Sequence, residues 1–196
     1  YLDDPNPSLQ RVTTRLEERL LMRPHPEWGL AQRVLRVAEV ALTIKEVEHA
    51  GQAGQGTLTE RLGRLAETIL TKTAQSLGVE PPAGMIPERV KELRKKAIQQ
   101  IEQPETSSQD RQRRAADLDD LFLVVQLHSY PGNYLAEAPT PERLAETVDK
   151  LEEDVLGASL PTVHGRRRVE IRLGEPLPIE RESGGRGQTR ELTALL

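Results

Sequence analysis

The sequence predicts a mainly α-helical protein, a bundle of six to seven helices with one short edge β-strand near the C-terminus. Apolar residues recur at helical spacing in several segments, some of them bounded by capping signals. Residues 121–125 form the longest apolar run and contain the only Phe. A single stretch, 168–173, alternates charged and apolar side chains, which is typical of a half-buried strand.

Composition excludes several functional classes. The 196 residues include 27 basic and 31 acidic side chains, and the net charge of -4 argues against a generalised nucleic-acid binder. The absence of Cys removes disulfides, thiolate nucleophiles and Cys-ligated metals, and favours a cytoplasmic protein. No apolar run approaches the ~20 residues that span a bilayer. The chain opens without Met and closes in an apolar helical pattern, so we expect it to be the interior of a longer protein.

The first two helices flank a Pro-rich break. One short amphipathic helix is predicted to end near Met22, before Pro24 and Pro26. The next is predicted from about Glu27 to His49, with one apolar face formed by Leu30, Val34, Val37, Ala41 and Ile44. Three Gly in residues 51–56 then predict a loop or hinge.

The third helix has the clearest local signals. Thr57 and Glu60 match a capping box, and Gly78 follows the last apolar position of the stripe. A fourth helix is predicted from near Pro87, with several basic residues outside its apolar stripe of Val90, Leu93, Ala97 and Ile101.

The central helix is predicted from about Asp110 to the turn at Tyr130-Pro131-Gly132. Its apolar residues at 118, 121–125 and 127 point in every direction, so we expect it to be buried on all sides. A buried strand is the alternative interpretation of this run, because period alone does not separate the two.

Three elements are predicted after this turn. Thr140, Pro141 and Glu142 predict a helix start, and Gly157 its end. The strand at 168–173 needs a neighbour for its backbone groups, either residues 1–3 or sequence outside this chain. A last, truncated helix follows the Gly-rich link at 183–187.

Several polar clusters have residue types that could carry chemistry. Glu46 and His49 have a Glu-x-x-His metal-ligand spacing, but no second copy exists, so a solvated helix end is preferred. His128 is interpreted as a hydrogen-bonded core histidine, with proton transfer as the alternative. Asp117, Asp119 and Asp120 could bind a cation, although salt bridges to neighbouring Arg residues are the default.

One basic cluster is a candidate binding site. Arg166, Arg167 and Arg168 could contact phosphate in a ligand or a membrane surface and are the candidate substrate-binding residues, although a solvated charge run is the preferred interpretation. No metal site, catalytic residue or cofactor is predicted for this chain.

Two segments resemble a known family. Residues 130–137 (YPGNYLAE) and 139–157 are similar to the region downstream of the catalytic part in some bacterial phospholipid/glycerol acyltransferases, the 1-acylglycerol-3-phosphate acyltransferase family. Residues 168–177 (RVEIRLGEPL) resemble the strand and Gly-Glu-Pro segment near that family's C-terminus. The resemblance implies that residues 1–103 are a helical insertion and residues 104–196 the tail of the acyltransferase-like domain.

The resemblance implies a function for the parent protein only. That function is acyl transfer from acyl-CoA or acyl carrier protein to a lysophosphatidate-like glycerophospholipid acceptor, with peripheral contact at the inner face of the membrane. The family's His-x-x-x-x-Asp signature is absent, since Leu30, Gly54, Asn133 and Val169 stand five residues after the four His. The chain alone is therefore predicted to lack the catalytic residues. A non-catalytic helical interaction module is the alternative.

Overall fold

The computed structural model describes residues 7–130 and 140–164, together with Ile171 and Gly174. The described residues form six helices and contain no strand. The helices are α1 (Pro7–Arg19), α2 (Leu30–Ala50), α3 (Leu58–Leu77), α4 (Ile86–Ile101), α5 (Ser108–Ser129) and α6 (Pro141–Leu156). The prediction of a mainly helical protein is confirmed.

Local capping signals set the helix boundaries where the sequence predicted them. The Thr57 side chain accepts from the Glu60 backbone N–H, and the Glu60 carboxylate accepts from the Thr57 N–H at 2.9 Å. Gly78 ends α3 with φ of 68°, a left-handed conformation that Gly adopts without steric cost. At α6, Thr140 accepts from the Arg143 N–H, and Pro141 occupies the first turn.

Two hydrophobic cores share α2. The first core joins the C-terminal half of α2, through Leu42, to α3, α4 and α5. The second core joins the N-terminal half of α2, through Val34 and Val37, to α1 and α6. Tyr130, at the end of α5, packs against both cores. All six helices belong to one compact unit, Tyr1–Arg166, and they include no segment long and apolar enough to cross a bilayer.

The central-helix prediction is partly wrong. Helix α5 does pack into the first core, and Leu121 and Val124 are fully buried. However, Phe122 is 55% exposed and Val125 42% exposed, so α5 is not buried on all sides. Helices α3 and α4 cover only one face of α5. Phe122 and Val125 come one position after the buried Leu121 and Val124, so they point about 100° away from that face.

The predicted edge strand is not supported. Most of residues 168–173 lie outside the described part of the chain, as do residues 1–3, its suggested partner. Ile171 is described, and it is 80% exposed with no strand assigned, whereas the prediction placed it on a buried face. Within the second compact unit, Arg167–Leu196, the structure describes only Ile171 and Gly174. The division of the chain into residues 1–103 and 104–196 stays a prediction.

Candidate functional site

A groove runs between α2, α5 and α6, where the two cores meet. Its volume is about 670 Å³, within the 300–1,000 Å³ range of small-molecule sites. Apolar side chains from four helices, α2, α3, α5 and α6, and from the α1–α2 turn form most of its wall, including Leu20, Ala38, Ala41, Leu42, Leu62, Leu123, Leu127, Leu151 and Val155. The groove therefore suits the apolar part of a ligand.

Polar contacts link α5 to α6 beside the groove. The Tyr130 hydroxyl donates to Asp154 Oδ2 at 2.8 Å, and the Gln126 amide donates to the other oxygen of the same carboxylate. Lys150 Nζ donates to the Ser129 carbonyl at 2.6 Å. Burial, reinforced by the negative charge of Asp154, raises the pKa of the Tyr130 hydroxyl. Tyr130 is therefore a phenol that donates a hydrogen bond, not a base.

Acidic residues from two helices line another part of the groove. Glu48 from α2 and Asp119 and Asp120 from α5 are among the lining residues, beside His49. Burial raises the pKa of Asp120, partly offset by the nearby His49. The His49 Nδ1 lies 3.9 Å from Asp120 Oδ1, which is too far for a hydrogen bond. The arrangement can attract a cation or accept hydrogen bonds, but the His49–Asp120 pair lacks the geometry of a positioned base.

The Glu-x-x-His pattern of α2 is divided between two environments. Glu46 is buried against Arg61 of α3, with Arg61 Nη2 donating to Oε2 at 2.7 Å, while His49 lies near Asp120. The Arg61 guanidinium holds the pKa of Glu46 below its ordinary value. Within residues 7–130 and 140–164, no group of three or more His, Cys, Asp or Glu is placed to hold a metal ion.

The other predicted site residues are dispersed. His128 is exposed, so its interpretation as a core histidine is wrong. Asp117 is buried and lies 3.1 Å from the Arg114 guanidinium, which confirms the predicted salt bridge. Asp117 also accepts from the Ser76 hydroxyl of α3 at 3.1 Å. The phosphate-site candidates Arg166, Arg167 and Arg168 lie outside the described residues.

A buried histidine beyond α6 was missed by the sequence analysis. The His164 ring is 2% exposed, with Nδ1 at 3.1 Å from the Ser8 hydroxyl and Nε2 at 2.9 Å from Asp149 Oδ1. Such a Ser–His–Asp chain can serve nucleophilic catalysis, but a ring this enclosed leaves little room for a substrate. We interpret it as a tether that holds the segment after α6 against α1. Ser8 and His164 are 156 residues apart, so no local pattern signals their contact.

Glu152 strengthens this tether. Its buried carboxylate accepts from the Thr162 N–H at 2.7 Å and from the Thr162 hydroxyl at 2.7 Å. The segment beyond α6 is therefore fixed to α6 at Thr162 and to α1 at His164.

The fold and groove define a helical assembly with an apolar cleft between two cores. No family model, curated protein or solved structure matches this chain. The acyltransferase resemblance of residues 130–157 and 168–177 therefore remains a prediction from the sequence alone.

Proposed function

We propose that this chain is the non-catalytic C-terminal segment of a bacterial glycerophospholipid acyltransferase. The parent protein would transfer an acyl group from acyl-CoA or acyl carrier protein to a lysophosphatidate-like acceptor, in the cytoplasm at the inner face of the membrane. The observation that carries the proposal is the resemblance of residues 130–137, 139–157 and 168–177 to that family.

The groove supports this proposal. An acyltransferase must accommodate a long apolar chain, and the groove offers an apolar wall of suitable volume. Tyr130, which opens the first resembling segment, lines this groove and donates to Asp154 of the second. Tyr130 and Asp154, one residue from each of two resembling segments, therefore meet beside the groove that suits the proposed substrate.

The test compares the full reading frame that contains this segment with the 196-residue chain alone. Acyl transfer from acyl-CoA to lysophosphatidate is expected for the full protein and absent for the chain, because an acyl transfer needs a base within reach of the acceptor hydroxyl. Leu123→Glu, in the groove wall, is expected to weaken acceptor or donor binding in the full protein, and Phe122→Glu on the exposed side of α5 is its control. A full protein without acyl transfer, or an active chain that His128→Ala inactivates, would contradict the proposal.

The alternative function is a helical interaction module. It is favoured by Phe122 and Val125, which lie one turn apart on α5 and are 55% and 42% exposed. If this apolar turn pairs with a second copy, sedimentation should show an oligomer that the Phe122→Ser, Val125→Ser variant dissociates. A chain that is monomeric at high concentration, before and after substitution, would exclude self-association through this turn.

A further inference from the structure

We propose that one face of α4 is a docking surface for an anionic lipid membrane. This basic stripe is defined by Lys91, Arg94 and Lys95 together with Ile98, and it follows from the contacts of α4 alone. It does not depend on the proposed acyltransferase function.

The stripe lies on the side of α4 that the core does not use. Val90, Leu93 and Ala97 are buried against the first core, which orients the helix. Lys91, Arg94, Lys95 and Ile98 are all exposed, and together with Pro87 and Val90 they line a shallow, open depression of about 700 Å³. Residues 91, 94, 95 and 98 are separated by three, four and seven positions, the spacing of one helix face.

The charges of the stripe are available to a partner. None of the three basic side chains forms an ion pair with another described residue, whereas Arg89 on the same helix is held by Glu67 at 2.6 Å. Glu102, at the C-terminal end, is the one acidic residue among the described residues that line the depression. The chain as a whole carries a net charge of -4, so attraction to an anionic surface must come from a local cluster within a Debye length of about 10 Å.

The composition of the stripe favours a lipid surface over a nucleic acid. Ile98, one turn beyond Arg94 and Lys95 on the same face, is 40% exposed, and Met85, just before α4, is 69% exposed. Lys and Arg side chains are attracted to an anionic leaflet, and an exposed apolar group beside them can enter the headgroup region. No aromatic residue lies on the stripe, so the stacking platforms of single-stranded nucleic-acid binders are missing from it.

Vesicle cosedimentation of the full 196-residue chain tests the proposal. Vesicles of equal parts phosphatidylcholine and phosphatidylglycerol are expected to bind the chain at low salt, and pure phosphatidylcholine is not. The Lys91→Gln, Arg94→Gln, Lys95→Gln variant is expected to bind the anionic vesicles roughly 100-fold more weakly, since each cation near such a surface contributes about a fivefold factor. Ile98→Ser, which keeps every charge, is expected to weaken binding by roughly threefold or more.

The matched control removes the same charge elsewhere. Arg11, Arg23 and Arg113 are exposed and lie outside the stripe, and their triple replacement by Gln is expected to leave vesicle binding unchanged. Equal losses of vesicle affinity in the two triple variants would show that binding depends on the net charge of the chain and not on the stripe, and would overturn the proposal. Binding of an acidic peptide such as polyglutamate through the stripe, without vesicle binding, would overturn it in favour of a protein partner. Helical circular dichroism and thermal melting confirm that each variant is folded.

Discussion

The Glu46–Arg61 pair provides the sharpest test of how α2 and α3 are held together. Glu46 Oε1 accepts from Arg61 Nε at 3.0 Å, and Oε2 accepts from Arg61 Nη2 at 2.7 Å and from the Gly54 N–H at 2.8 Å. The Glu46 and Arg61 side chains are 5% and 11% exposed. Replacing Glu46 by Gln removes the carboxylate that is paired with the largely enclosed Arg61 guanidinium.

The expected cost of Glu46→Gln is about 3 kcal/mol, the lower end of the range for breaking a buried pair, because the Gln oxygen can still accept one hydrogen bond. For a chain of this length, that loss lowers the melting temperature by roughly 6–12 °C. The control is Glu48→Gln in the neighbouring pair with Lys45, whose side chains are 55% and 44% exposed. That change should cost less than about 1 kcal/mol.

The pH dependence of the Glu46→Gln effect gives an independent check. Arg61 lowers the pKa of Glu46 in the folded state, so the stabilisation is fully present above the unfolded value of about 4.3 and is lost as the pH falls through the folded pKa. The stability difference between the natural chain and Glu46→Gln should therefore shrink below about pH 4, by at most about 1.4 kcal/mol per pH unit.

Urea denaturation monitored by circular dichroism at several pH values measures both effects. The double variant Glu46→Leu, Arg61→Leu is expected to be more stable than Glu46→Gln, because it leaves no buried charge unpaired. A Glu46→Gln penalty that is as large at pH 3 as at pH 7, or no larger than that of Glu48→Gln, would refute the buried-pair interpretation.

Two further predictions concern the first core and the 51–56 loop. Leu121→Asp should unfold the protein, because Leu121 is fully buried and an unpaired buried charge costs several kcal/mol. Val125 is 42% exposed, so the melting temperature of Val125→Asp should lie within a few degrees of that of the natural chain. Similar melting temperatures for the two variants would contradict the assigned orientation of α5. Gly54→Ala should lower the free energy of unfolding by about 1–3 kcal/mol, because a Cβ there would lie 2.3 Å from Glu46 Oε1. Gly63→Ala has open space around the new Cβ, so it should stabilise α3 by about 0.5–1 kcal/mol. Equal melting shifts in the two Ala variants would show that the Glu46 carboxylate does not occupy this position.

Local chemistry explains which parts of the fold were predictable. The N-terminal ends of α3 and α6 are fixed by hydrogen bonds between residues three positions apart, so Thr57, Glu60 and Thr140 predicted correctly where these helices begin. The apolar run on α5 correctly indicated a core helix. It did not reveal that only one face is covered, because the sequence does not show how many neighbours a helix has.

Helix α2 shows why a single apolar stripe was an incomplete description. The predicted face ended at Ile44, which is 47% exposed, while Leu42 is buried instead. The helix packs on α1 and α6 at its N-terminal half and on α3 at its C-terminal half, so its buried face changes along its length. A hydrophobic period that is fitted to a single helix face does not predict the buried residues of a helix that packs on different neighbours along its length.

The buried charges were unpredictable for a different reason. Arg33 and Glu17 form a pair that is 4% and 3% exposed, and sixteen residues separate them along the chain. Sequence reasoning considers ion pairs at helical spacings of three or four, so it found Arg114 and Asp117 but neither this pair nor Glu46 with Arg61. The groove was likewise invisible, because it is formed by helices that meet only in three dimensions.

The placement of the buried pairs indicates which helix contacts are fixed and which can adapt. Aromatic residues are only 3% of the chain, so the cores consist mainly of similar aliphatic side chains that specify helix register weakly. A buried charge is costly to leave without its partner, so a pairing of helices that separates the two charges is penalised, and here buried pairs join α1 to α2 and α2 to α3. Among the described residues, α5 and α6 are joined by polar contacts of Tyr130 and Gln126 with Asp154 and of Lys150 with Ser129, and both Asp154 and Ser129 are exposed. Because contacts to exposed groups cost less to break than buried ion pairs, we expect the α5–α6 side of the groove to open more readily than the α1–α2 and α2–α3 contacts, which faster amide hydrogen exchange near Ser129 than near Glu46 would show.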